Sequence, residues 1–233
     1  MGYSRHKNFE IKQVSLGKEG ATLLVIDSCI DDPDSVRQEA SRAQFSAAGM
    51  AYPGLRAVAS EAYVEFLMQE LADVLPLYFN VPTRTFRMMM CHYSLVTTPP
   101  DQLSLMQRIP HVDVVGEDGF AAVHYFFNKD LGGTAFYRHR STGFENIDHA
   151  RQPLYLRSLE AECTGETAPP AAYIGSESPL FEEIANPGAI YNRLLVYRGN
   201  SLHSGRIPTD FIPTSDPLLG RLTVNSFVAP VYS

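Results

Sequence analysis

The sequence predicts a mainly β single domain backed by two amino-terminal helices. Three observations support this: strand-like runs recur over most of the chain, helix signals with an apolar stripe gather before residue 80, and Gly- or Pro-rich breaks divide the runs. A chain of 233 residues, 45% of them hydrophobic, can bury one sizeable core, and all-β domains reach this length as one unit. We therefore expect residues 1–233 to form one domain. Residues 1–80 supply strands and supporting helices, residues 84–230 supply the β core, and residues 138–188 are inserted into that core.

Phe9-Glu10-Ile11-Lys12-Gln13-Val14 alternates with period two, and Ala21-Thr22-Leu23-Leu24-Val25-Ile26-Asp27 is a more buried run, so both read as strands. Asp31-Asp32-Pro33-Asp34 then offers capping carboxylates and a first-turn proline to a helix over residues 35–44. Pro53-Gly54 marks a turn. Arg56 beside it is either a cleft-lining cation or, as we expect, a surface charge. Ser60 caps a second helix over residues 60–78, with Ala62, Phe66, Leu67, Leu71, Val74 and Leu75 on one face.

From residue 85 the pattern is strands. Residues 85–96 are long and apolar, and their Met88-Met89-Met90 run reads as core packing. His111 opens the next strand, and Gly116 to Gly119 reverse the chain. Residues 120–128 are aromatic and β-prone, and Gly132-Gly133 predicts a hairpin into Thr134-Ala135-Phe136-Tyr137. Residues 138–188 break the rhythm, with helical segments at 152–162 and 180–185; an insertion this long reads as a lid. Strands return at residues 191–197, near His203, and at residues 221–228. A second, proline-containing insertion at 207–220 precedes the last strand.

The net charge of −7 and a pI near 5.5 argue against nucleic acid or an anionic membrane as the main partner, since neither is attracted over long range. A small-molecule or peptide substrate is the expected partner, with the oligomeric state open. The absence of a long apolar run or a secretory leader gives a cytoplasmic expectation. Cys29, Cys91 and Cys163 have no paired spacing and read as buried small hydrophobes.

The chemistry centres on Pro110-His111-Val112-Asp113. On a strand, residues two apart share a face, so His111 and Asp113 present an imidazole and a carboxylate to one point. With seven histidines and 26 acidic residues, a single H-x-D/E is what chance supplies, so the pair needs company. His203, in Gly199-Asn200-Ser201-Leu202-His203-Ser204-Gly205-Arg206, supplies it; His92, His124 and His139 lack that context. Two imidazoles and a carboxylate fill one octahedral face and leave the other open, which suits non-haem iron(II).

With His111-Val112-Asp113, Tyr125-Phe126-Phe127-Asn128-Lys129-Asp130 running into Gly132-Gly133, His203, and Gly220-Arg221-Leu222-Thr223 in this order, the chain resembles the iron(II)- and 2-oxoglutarate-dependent dioxygenases, in particular their prolyl-hydroxylase-like branch. The likeness spans roughly residues 85 to 230. It implies a double-stranded β-helix, or jelly roll, of two facing sheets. It also implies Fe(II) as cofactor on His111, Asp113 and His203, 2-oxoglutarate as cosubstrate, and hydroxylation of a C–H bond coupled to decarboxylation to succinate. Arg221 matches the family's basic residue for the far carboxylate of 2-oxoglutarate, and a guanidinium fork suits that group. Arg206 is the fallback, because the insertion sets Arg221 further from His203 than the family pattern. Tyr93 resembles the family tyrosine that hydrogen-bonds the same carboxylate, while a second family tyrosine is Phe126 here. A cupin-like metalloenzyme that does not use 2-oxoglutarate, and an inert jelly roll that binds a partner, are the rival readings.

Overall fold

The alternating sequence of β1 (Glu10–Leu16) leaves it largely wet, whereas β2 (Ala21–Asp27) is buried over its centre; they pair antiparallel from Glu10 opposite Asp27 to Leu16 opposite Ala21. Helix α1 (Pro33–Arg42) starts where the Asp32 carboxylate accepts from the Ser35 amide at 3.0 Å. Helix α2 (Glu61–Phe79) starts where the Ser60 hydroxyl accepts from the Tyr63 amide at 3.3 Å, and it buries Phe66, Leu67, Leu71, Val74 and Leu75. Between the helices lie two short strands, β3 (Ser46–Ala47) and β4 (Gly54–Val58). Gly54 is required there, since a Cβ would sit 1.9 Å from the Leu95 carbonyl oxygen.

This computed structural model describes residues 2–49, 51–164 and 168–232. Its remaining elements are β5 (Phe86–Val96), β6 (Phe120–Tyr125), β7 (Thr134–His139), α3 (Gln152–Glu162), β8 (Phe181–Ala185), β9 (Leu194–Arg198), β10 (His203–Gly205) and β11 (Leu222–Pro230). Among the described residues the strands form two antiparallel sheets. The larger runs β1-β2-β9-β6-β11-β5-β4-β3 and the smaller runs β10-β7-β8. The fold is a mainly β jelly roll, and no helix among the described residues is long and apolar enough to cross a membrane.

Strand alternation gives the large sheet two different faces. One carries Tyr93, Val224, His124 and Leu194 in a row across four strands and packs on α1 and α2. The other carries Val123, Tyr125, Leu195 and Tyr197 and meets Phe136 of the small sheet. Beyond the small sheet, Tyr155 and Leu159 of α3 cover Ala135, Tyr137 and Phe181.

Four expectations need correction. Gly132-Gly133 makes no hairpin, because β6 belongs to the large sheet and β7 to the small one; the glycines carry the chain across the sandwich. Residues 181–185 form strand β8 against β7 rather than a helical turn. His111 is not the start of a strand: it makes an isolated bridge with His203, and Asp113 lies in a bend whose amide donates to the Gly199 carbonyl at 2.7 Å. Region 138–188 is expected to form a lid, but its Ile147, Tyr155, Leu159 and Phe181 pack with Ala135 and Tyr137 on the outer side of the small sheet, and among its described residues only Tyr173 lines the cavity described next.

Candidate metal centre

A cavity of about 400 Å³ opens between the two sheets, and His111, Asp113, His203 and Arg221 are in its lining. The two histidines come from distant parts of the chain, and their backbones hold them together. The His111 amide donates to the His203 carbonyl at 2.9 Å, and the His203 amide returns the bond at 3.0 Å. The rings sit 4.5 Å apart, His111 Nε2 lies 3.7 Å from Asp113 Oδ1, and His203 Nε2 lies 3.4 Å from Asp113 Oδ2. One ligand atom from each residue falls within 4.8 Å of the other two.

Hydrogen bonding fixes what each atom offers. His203 Nδ1 is 2.9 Å from the Ser201 carbonyl oxygen, an acceptor, so the ring proton sits on Nδ1 and Nε2 presents a lone pair to Asp113. Asp113 Oδ2 is buried with no hydrogen-bond partner. Two lone-pair atoms facing each other away from water are unfavourable unless a cation sits between them. The donor set therefore fits a divalent metal, and two imidazoles with one carboxylate favour iron(II) chemistry among the candidates.

The titration directions agree with that geometry. Burial pushes His203 down to about 4, and burial and the neighbouring His203 ring push His111 down to about 4, so both rings are neutral near pH 7, the form a metal ligand needs. His111 keeps 47% of its side chain exposed, with Nε2 on the cavity side. Burial raises Asp113 to about 6, against the opposing pull of His111 and Arg56.

Arg221 is 4% exposed at the start of β11 and makes no ion pair among the described residues. Its Nε donates to the Gly132 carbonyl at 3.0 Å and its Nη2 to the Gly133 carbonyl at 2.7 Å, while Nη1 takes part in neither bond. The Gly-Gly crossing thus acts as the bracket for this side chain. At Gly132, φ is +76° and a Cβ would meet the Arg206 carbonyl oxygen at 1.9 Å. Arg206 itself lies outside the cavity lining, its Nε paired with Glu183 at 3.0 Å.

Tyr93 is not part of this cavity, which corrects the expectation for it. Strand parity turns it to the helix face, where its hydroxyl donates to Glu39 at 3.0 Å and accepts from the Ser60 amide at 3.3 Å. Phe126 also faces the helices, and its neighbour Tyr125 faces the cavity side, donating to Thr134 at 2.8 Å. Tyr125 and Tyr52 both lie in the field of Arg221. Arg56, expected at the surface, is half-buried and lines the cavity. No local signal marks it, because β4 is too short to show a period, though Arg56 shares its sheet face with Ser94, Thr223 and Tyr125.

In the solved structures, HygX from Streptomyces hygroscopicus with nickel and 2-oxoglutarate bound is similar in fold, with a TM-score of 0.54 at 14% identity over 92% of this chain and 85% of that one. HygX with iron bound also matches, with a TM-score of 0.46 at 13% identity over 96% of this chain and 82% of that one. No curated protein matches the sequence. Residues 7–228 match one family throughout, and the chain belongs to it: the family of unknown function DUF6445.

Proposed function

We propose that this chain is an iron(II)- and 2-oxoglutarate-dependent oxygenase of the prolyl-hydroxylase-like kind, hydroxylating a C–H bond of a small molecule or peptide. The observation that carries the reading is the buried Asp113 oxygen, without a donor, between two imidazoles in a cavity that an arginine of the last strand also lines. The fold shared with HygX, a protein solved with nickel and 2-oxoglutarate, supports it.

His111, Asp113 and His203 would hold the iron, which with 2-oxoglutarate supplies the activation of oxygen that no protein side chain can. The chain's own residues bind, orient and shield. Ser201 fixes the proton of His203 on Nδ1 and so keeps Nε2 free for the metal. Gly132 and Gly133 hold the Arg221 fork in place, and its charge anchors the far carboxylate of the cosubstrate, in the electrostatic field that Tyr52 and Tyr125 share. Tyr197, Ile207 and Tyr173 wall the cavity against water, and Tyr173 is fixed by donating to the Thr98 carbonyl at 2.7 Å.

The test is anaerobic titration of the full chain with iron(II) and 2-oxoglutarate. A weak visible charge-transfer band should appear with both together and with neither alone, followed by succinate formation on admitting oxygen. Iron binding with no band and no 2-oxoglutarate affinity would transfer the assignment to a cupin-like metalloenzyme.

A further inference from the structure

Arg56 brings a second positive charge into the cavity, and the metal and cosubstrate roles proposed above do not call on it. It lies on β4 opposite Ser94, in a row that continues through Thr223 to Tyr125 across the cavity face. Its guanidinium carbon stacks 4.2 Å from the centre of the Tyr52 ring. Nη1 has only the Met90 sulfur at 3.7 Å, a weak acceptor, and Nε is buried with no hydrogen-bond partner. Three other arginines of the sandwich have acidic partners, Arg138 with Glu145 and Glu182, Arg193 with Asp27 and Arg206 with Glu183, while Arg221 spends its Nε and Nη2 on the Gly132 and Gly133 carbonyls. Arg56 forms no ion pair among the described residues. Burial pushes its guanidinium below the usual arginine range, against the opposing pull of Tyr52 and Asp113.

The charges of the cavity say what is missing. Among the described residues, Arg56, Arg221 and Asp113 are the only formally charged side chains in its lining. A divalent ion on Asp113 together with two arginines is offset by the dianion 2-oxoglutarate except for a single positive charge. A monoanion completes the balance, whereas a phosphate monoester, carrying about 1.5 to 2 negative charges near neutral pH, overshoots it. The free Nε of a guanidinium is matched by the planar edge of a carboxylate. A cavity of about 400 Å³ stands at the small end of ligand sites, with room for a small molecule beside the cosubstrate.

We infer that Arg56, stacked on Tyr52, binds a carboxylate of the substrate, so that the molecule oxidised is a small monoanionic organic acid. The inference rests on the oxygenase reading above. Arg56 is a specificity determinant in it, with no part in holding metal or cosubstrate.

The experiment uses the full chain loaded anaerobically with nickel(II) and 2-oxoglutarate, titrated calorimetrically with butyrate, butyramide and methyl phosphate. Butyrate should bind at least about tenfold more tightly than either of the others, the scale of one charge-assisted hydrogen bond. Arg56→Gln should erase that preference and keep 2-oxoglutarate affinity within about threefold, and Arg56→Lys should restore part of the preference. Equal binding of acid and amide by the unaltered chain overturns the inference without recourse to a variant. So does a preference for methyl phosphate, or a loss of 2-oxoglutarate affinity in Arg56→Gln beyond about tenfold, which would make Arg56 a cosubstrate anchor. Each of these leaves the oxygenase reading standing. Failure of nickel(II) and 2-oxoglutarate to bind at all overturns that reading, and the inference with it.

Discussion

His124 and His203 are the same residue type, both buried in strands of one sandwich, and both are held neutral, pushed by burial down to about 3 and about 4. They differ in what their ring nitrogens do. On the helix face, Tyr63 donates to His124 Nδ1 at 2.9 Å and His124 Nε2 donates to Asn192 Oδ1 at 3.1 Å, so the ring is fully used. On the cavity face, His203 donates once, to Ser201, and turns its remaining lone pair on a carboxylate oxygen that has no donor. Burial and a depressed pKa do not tell a ligand from a core histidine. An unspent lone pair is what sets apart the histidine proposed as a ligand.

The strongest way to break this contrast is to delete each ring. His203→Ala, His111→Ala or Asp113→Ala should cost more than about a hundredfold in iron(II) affinity, since loss of a supporting partner alone costs up to that much. The fold should survive each of them, and metal-free Asp113→Ala should gain about 1 kcal/mol, because an unpartnered buried carboxylate is removed. His124→Ala should do the opposite, keeping metal affinity and losing about 3 kcal/mol as Tyr63 and Asn192 lose their partner. Metal titration and urea unfolding read the two axes; exchanged outcomes would end the comparison.

Among the arginines the same logic applies with a smaller effect. Arg221→Ala should weaken 2-oxoglutarate about a hundredfold, or about 3 kcal/mol, with iron affinity nearly unchanged. Arg206→Ala removes only its pair with Glu183 and should leave cosubstrate binding alone. Equilibrium titration of the charge-transfer band decides which arginine is the anchor.

His124 sharpens the contrast through pH. Its folded pKa lies near 3, below the ordinary 6.5, so between those values the unfolded chain takes a proton that the folded chain refuses, and stability falls as pH drops from about 6.5 toward 3. Each such group adds at most about 1.4 kcal/mol per pH unit to that slope. Metal-free His124→Gln should show a correspondingly shallower acid limb in urea unfolding at pH 6 and pH 5. An unchanged slope would mean that His124 does not titrate with unfolding. The smallest effect belongs to Tyr173→Phe: loss of its bond to Thr98 should cost about 1 kcal/mol or less and raise 2-oxoglutarate turnover uncoupled from substrate. Succinate counted against oxidised product measures that.

How far the sequence could be read follows the range of each signal. Strands β2 and β5 and both amino-terminal helices are legible because period and capping are local properties. Pairing is not local: Gly132-Gly133 reads the same whether it turns a hairpin or crosses between sheets, and only the partners of β6 and β7 decide. Tyr93 and Phe126 show how parity misleads, since one step along the strand exchanges the helix face for the cavity face, and Ser94 and Tyr125 hold the cavity side. Residues His111, Asp113, His203 and Arg221 do meet in one cavity, though the bend at Asp113, rather than strand geometry, brings the carboxylate in. Arg56 was hidden beside a Pro-Gly turn, which says nothing about the sheet edge that follows it.

The paired amides of His111 and His203 have a kinetic consequence. They form a single isolated rung between segments separated by β6, β7, α3, β8 and β9, so no strand zips toward them from a nearby turn. Closing that loop comes only after the intervening elements dock, and its entropy cost falls late on the folding path. A metal ion bridging the rung would thus leave the folding rate unchanged and slow unfolding, because its contacts are absent from the transition state. The loaded protein would owe its persistence to a slow exit from the native state, visible as a flattened unfolding arm beside an unmoved refolding arm in stopped-flow mixing.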